Sequence, residues 1–149
     1  MTPAARPTPV KIACDEVLTA DQLTKLVPVL TAIDDFTPEK GTDALTALDA
    51  DGVACGYTNP GTGHTVTVSI ARPAKPQLTT LKNKAIDDSN VVPTYGVPPK
   101  VMGYFTVTGS VGIAEVFTGD YWIVVASKDY IEPGDASQVV ADVLGNIAG

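Results

Sequence analysis

Three groups of residues in this chain could do chemistry: a pair of cysteines, a single histidine, and a proline-rich loop that carries an aromatic ring. Cys14 and Cys55 are the only cysteines among 149 residues, so in an oxidising compartment their pairing is unambiguous. The bridge would close a loop of about 40 residues, and chain entropy then gives roughly 4 kcal/mol of stabilisation. Two buried free thiols are the alternative. The cysteines lack the partners of a structural zinc site and are too far apart for a Cys-x-x-Cys redox pair.

His64 is the chain's one histidine. It precedes a strand-like alternation, and no motif places a nucleophile or a carboxylate beside it. A catalytic triad needs nucleophile, base and orienting group in contact, so the residues favour a structural histidine at a strand end and no residue takes a catalytic role. A hydrolase using His64 with a nearby carboxylate or hydroxyl is the alternative. Asp49-Ala50-Asp51-Gly52 resembles the start of a calcium loop, yet Ala54 and Pro60 occupy the positions where an EF-hand needs glycine and glutamate. Asn59–Gly63 lacks the Lys-Ser/Thr of a phosphate loop and reads as a turn. The pairs Asp34/Asp35 and Asp87/Asp88 read as solvated. Neither a metal nor a cofactor is implied.

The segment Val91–Pro99 holds Val91, Val92, Tyr95 and Val97 among three prolines. Apolar side chains on a Pro-restricted loop suit a pocket rim or partner contact, and these four are the candidate ligand- or partner-binding residues. A loop that folds back over one end of the core is the plainer reading.

Elements must position these groups. Residues 1–11 contain three prolines and no periodicity and read as a linker, with one α+β domain spanning 12–149. Thr19-Ala20-Asp21-Gln22 is a capping box; Leu23, Leu26, Val27 and Leu30 follow at helical spacing, with Pro28 set to shorten or kink the helix. Gly52–Thr58 and His64–Ile70 form a hairpin, the second strand alternating apolar and hydroxyl side chains. Pro73 and Pro76 open a helix with Leu78, Leu81, Ala85 and Ile86 on one face. Arg72, Lys75, Lys82 and Lys84 cluster around it as a solvated basic face. Lys100–Val107, Val111–Phe117 and Tyr121–Ser127 make a meander with Gly109 and Gly119 in the turns. Pro133 and Asp135 then open a last helix striped by Val139, Val140, Val143, Leu144 and Ile147. The order α-ββ-α-βββ-α predicts a five-stranded antiparallel sheet with helices packed mainly on one face.

A hydrophobic fraction of 44% with mean hydropathy +0.15 fits a packed core. A net charge of −7 disfavours nucleic acid and anionic membranes as partners. No apolar run is long enough to span a bilayer. Met1–Val10 lacks the apolar stretch of a signal peptide, so any export signal or lipid anchor is expected upstream. Arg6, Pro7, Pro9 and Lys11 likewise exclude Cys14 as an acylated lipoprotein cysteine. A cytosolic protein with its natural Met1 is the alternative.

The runs Cys14-Asp15-Glu16-Val17-Leu18 and Cys55-Gly56-Tyr57 resemble a class of actinobacterial exported domains of unknown function, secreted or lipid-anchored. Those proteins carry a Cys-Asp-x-Leu-Leu-like helix start and a later Cys-x-Trp/Tyr strand. The resemblance covers most of the chain after the linker, with Glu16-Val17 standing where an apolar pair is commoner and Tyr57 where Trp is. It implies a disulfide, an extracellular or cell-surface location and no established activity. Together with the residues it gives an expectation: a monomeric, non-enzymatic cell-envelope domain binding a small ligand, lipid or envelope protein. A structural or adhesion domain is a further alternative.

Overall fold

The computed structural model describes residues 6–96 and 100–148. The leading helical segment is two short helices, α1 (Cys14–Val17) and α2 (Ala20–Lys25). The Thr19 hydroxyl accepts from the Gln22 amide while the Gln22 side chain accepts from the Thr19 amide, the expected capping box. The helix does not continue through Pro28. The chain turns into a two-residue strand, β1 (Thr31–Ala32), and then α3 (Asp43–Asp49), capped by the Thr42 hydroxyl at the Leu45 amide. The hairpin of β2 (Val53–Thr58) and β3 (Thr65–Ala71) follows, then α4 (Lys75–Asp88) and a second two-residue strand, β4 (Asn90–Val91). The meander is β5 (Val101–Thr108), β6 (Val111–Thr118) and β7 (Tyr121–Ser127), and α5 (Ser137–Ala148) closes the chain.

All strands pair antiparallel in one sheet of order β1-β2-β3-β7-β6-β5-β4. The class is α+β as expected, but the sheet has seven strands instead of five. β1 and β4 each pair through only two residues at opposite edges, too short to show a period of two in the sequence. The β2–β3 hairpin joins the meander through β3 and β7, in register from Val66 with Ser127 to Ala71 with Trp122.

Helices cover both faces, which corrects the one-sided arrangement. On the first face Val66, Val68, Ile70, Ile123 and Val125 pack with Val17 and Leu18 of α1, Leu23 of α2 and Val139, Val140 and Val143 of α5. On the second, Ala71, Phe117, Trp122 and Val124 pack with Ala47 of α3 and Leu78 and Ala85 of α4. The cause lies in β7, where Trp122, Ile123, Val124 and Val125 are all buried. A strand apolar on both sides at the centre of a sheet needs cover on both sides.

The Pro-rich start is tied to the domain over its described length. The Thr8 amide donates to the Arg72 carbonyl (2.8 Å) and the Val10 amide to the Asp51 carbonyl (2.9 Å). Asn146 of α5 donates to the Val17 carbonyl (2.8 Å) and to Gln22 Oε1 (2.7 Å), fastening the two short helices to the longer one. Among the described residues no helix is long and apolar enough to cross a membrane.

Candidate functional site

α3 and α4 cover only part of the second face. They lie over Ala71, Phe117 and Trp122, and the other half of the face stays open as a groove of about 720 Å³. Its floor is Thr65, Thr67 and Ser69 from β3, Val124 and Ala126 from β7, and Val111 and Ile113 from β6. The hydroxyl side of β3, the second face of its alternation in the sequence, is therefore the polar half of this floor. Phe36 and the segment leading to Thr42 form one wall. Phe36 fits there because Gly56 beneath it has no side chain; a Cβ at that position would overlap the ring. Asp43 of α3 and Lys84 of α4 stand at the helix end, His64 and Lys128 at the hairpin end.

His64 does find a carboxylate. Its Nδ1 lies 2.7 Å from Asp129 Oδ1, in the connection after β7. The other carboxylate oxygen accepts from Asn59 Nδ2 (2.9 Å) and the Thr62 hydroxyl (3.0 Å), and the Asp129 amide donates to the Ser127 hydroxyl (3.0 Å). Burial pushes the Asp129 carboxyl upward, but the hydrogen bonds from His64, Asn59 and Thr62 outweigh it and hold it below its ordinary value. The His64 side chain stays 46% exposed against 16% for Asp129. Sequence separation hid this pair: the partners are 65 positions apart, and only the β3–β7 pairing joins the hairpin turn to the end of the meander. A smaller concavity of about 250 Å³ lies on the other side of Asp129, lined by Leu26, Pro28, Tyr130 and Gln138 among others.

Two residues along β6 from Ile113, on the same face, is a half-buried carboxylate. Glu115 of β6 accepts from the indole N–H of fully buried Trp122 at 2.7 Å. Burial raises its pKa to about 7; the Trp122 hydrogen bond opposes this, the negative charge of Asp43 adds to it, and Lys84 opposes it again. Burial raises the Asp43 carboxyl too, with Lys84 pulling it back. A glutamate inside a β6 pattern facing an α-helix was the available sequence signal for this site.

The cysteine pair is where the sequence puts it. Cys14 Sγ and Cys55 Sγ are bonded at 2.09 Å, with Cα atoms 5.7 Å apart, tying α1 to β2. The Tyr57 hydroxyl donates to the Cys14 carbonyl at 3.4 Å beside the bridge. Of the loop residues, Val92 and Tyr95 are buried in the first-face core and Val91 is 55% exposed. Val97 lies outside the described residues. Tyr95 packs over Gly103, where a Cβ would overlap the ring, and its hydroxyl donates to the Pro133 carbonyl at 2.7 Å. Neither the groove nor the smaller concavity is lined by Val91, Val92 or Tyr95.

No family model, curated protein or solved structure matches this chain. Its own residues carry what chemistry it has. They supply a disulfide, a fixed His–Asp pair and an open half-face with ionisable groups at both ends.

Proposed function

We propose that this chain is an exported, lipoprotein-type domain of the cell envelope that binds a small ligand in the groove on the second face of its sheet. The observation that carries the reading is the open half-face itself. A volume of about 720 Å³ falls within the range of ligand sites, and a floor mixing small hydroxyl and aliphatic side chains with a few charged groups is their usual make-up. The location rests on the disulfide, since such bonds persist in oxidising compartments, and on the likeness to actinobacterial exported domains. Screening a panel of small molecules by thermal shift and NMR tests the reading, with Ala126→Trp filling the floor as the control. Binding that the tryptophan abolishes supports it. A panel without binders, or binders indifferent to the substitution, sinks it.

A second reading is favoured by one observation, the His64–Asp129 contact at 2.7 Å. A histidine so held can act as a general base, which makes a hydrolase acting on a groove-bound ester the alternative. His64→Ala assayed against ester and amide substrates decides it: hydrolysis by the parent that the variant lacks would establish an enzyme.

A further inference from the structure

The sheet register orders the second face in rows. Gly56 of β2 pairs with Thr67 of β3, Thr67 with Ala126 of β7, and Ala126 with Ile113 of β6. Residues paired in this way share a face of the sheet. Phe36 sits over Gly56, so an aromatic wall, a hydroxyl, a methyl group and a branched aliphatic side chain follow one another across this row. Gly56 and Ile113 are three strand spacings apart, roughly 14 Å. Ala126, with the smallest side chain between them, leaves a slot. Along β3 the groove-lining residues Thr65, Thr67 and Ser69 stand two apart, about 6.8 Å from one to the next. Neighbouring hydroxyls are spent: Thr62 donates to Asp129, and Ser127 accepts from the Asp129 amide. Those of Thr65, Thr67 and Ser69 have no hydrogen-bond partner among the described residues. Ser69 is only 1% exposed and lines the groove, and a buried hydroxyl is ordinarily satisfied. A ligand in the slot supplies the partner that the fold does not.

Each end of the groove carries both signs of charge. Lys84 stands with Asp43 at one end; at the other, the Asp129 carboxylate holds His64 at 2.7 Å, next to Lys128. Neither end selects a net charge. The polar groups of the floor are hydroxyls, which donate and accept alike. The aliphatic row of Val124 and Ala126 lies one strand spacing to their side, pairing with Ser69 and Thr67. A ligand that matches is uncharged, with hydroxyls along an edge and C–H groups across a face. A saccharide has this two-sided chemistry, and its C–H face suits an aromatic wall, whose ring face is electron-rich. We infer that the groove binds a short neutral oligosaccharide, its ring C–H groups against Phe36 and Ala126 and its hydroxyls on Thr65, Thr67 and Ser69. This inference rests on the ligand-binding reading of the groove and names its ligand class.

The test titrates the unmodified protein with cellotriose, maltotriose and mannotriose, and with trigalacturonic acid as the charged comparison, by calorimetry and amide NMR shifts. At least one neutral trisaccharide should bind, move the amides of Thr67, Ser69 and Ala126, and keep its affinity as salt is raised. Thr67→Val, which removes a hydroxyl and keeps the shape, and Ser69→Ala should each weaken that binding about fivefold, the worth of one hydrogen bond. Phe36→Ala should weaken it about tenfold. Ser69→Ala should also fold with unchanged or higher stability, because its hydroxyl has no partner to lose. A marked loss of stability in that variant would show the hydroxyl already used by the fold and overturn the inference. So would binding indifferent to both Thr67→Val and Ser69→Ala, or tighter, salt-dependent binding of the acidic trisaccharide. If no neutral trisaccharide binds, the inference falls by itself; the small-molecule panel with Ala126→Trp then decides separately whether the groove is a ligand site.

Discussion

Replacing Glu115 with glutamine should change how the stability of this protein depends on pH. The parent carboxyl has an ordinary pKa of 4.5, raised to about 7 in the folded protein, first by burial. Across that window the native state holds a proton that the unfolded chain has released, so stability falls as pH rises from about 4.5 to 7 and then levels off. At about 1.4 kcal/mol per pH unit the full shift corresponds to roughly 3 kcal/mol; partial solvent access and screening reduce the expected effect to about 2 kcal/mol. Glu115→Gln removes the ionisation and keeps an oxygen for the Trp122 indole N–H, which now donates at 2.7 Å. Urea denaturation of both proteins at pH 5 and pH 8 reads the difference. The variant should match the parent within about 0.5 kcal/mol at pH 5 and exceed it by about 2 kcal/mol at pH 8. Both numbers come from the same linkage, so the gap should open between the two carboxyl values and nowhere else. Parallel curves across the range would refute the raised pKa and the packing that causes it.

Three further outcomes follow from the same contacts. Removing the bridge with Cys14→Ser and Cys55→Ser together should lower stability by roughly 4 kcal/mol in urea denaturation, and no loss would mean the α1–β2 link does not constrain the unfolded chain. Asp129 sits below its ordinary carboxyl value, so its contribution is present at neutral pH and lost as pH falls through the native value. Asp129→Asn should therefore cost about 1–2 kcal/mol near pH 7 and converge with the parent in acid; an undiminished gap at pH 2 would contradict this. Tyr95→Phe leaves the Pro133 carbonyl without its donor and should cost about 1 kcal/mol by chemical denaturation, whereas unchanged stability would mean that the Tyr95–Pro133 hydrogen bond contributes nothing net to the fold.

Local chemistry determined much of this protein. Alternation in His64–Ile70 named a strand because successive side chains point to opposite faces. Glycines in the meander turns named hairpins: Gly109 and Gly119 take φ of 63° and 56°, a backbone that glycine adopts without steric penalty. Thr19 and Gln22 announced a helix start three residues apart, and two cysteines allowed only one intramolecular bridge. Each of these signals is complete within a short window or within a count.

What tertiary structure alone decided is everything that depends on which distant segments meet. β1 and β4 are strands because an edge was available to pair with, and two residues carry no pattern of their own. α3, with small alanines as its buried residues, gave little periodic signal, yet it and α4 cover the second face because β7 is apolar on both sides. The candidate site depends on that arrangement. Pairing of β3 with β7 brings Asp129 to His64, and cover over only half of the second face leaves Thr65, Thr67 and Ser69 lining a groove. Periodicity tells which way a side chain points along its own strand; the register between strands far apart in the chain decides what it meets there.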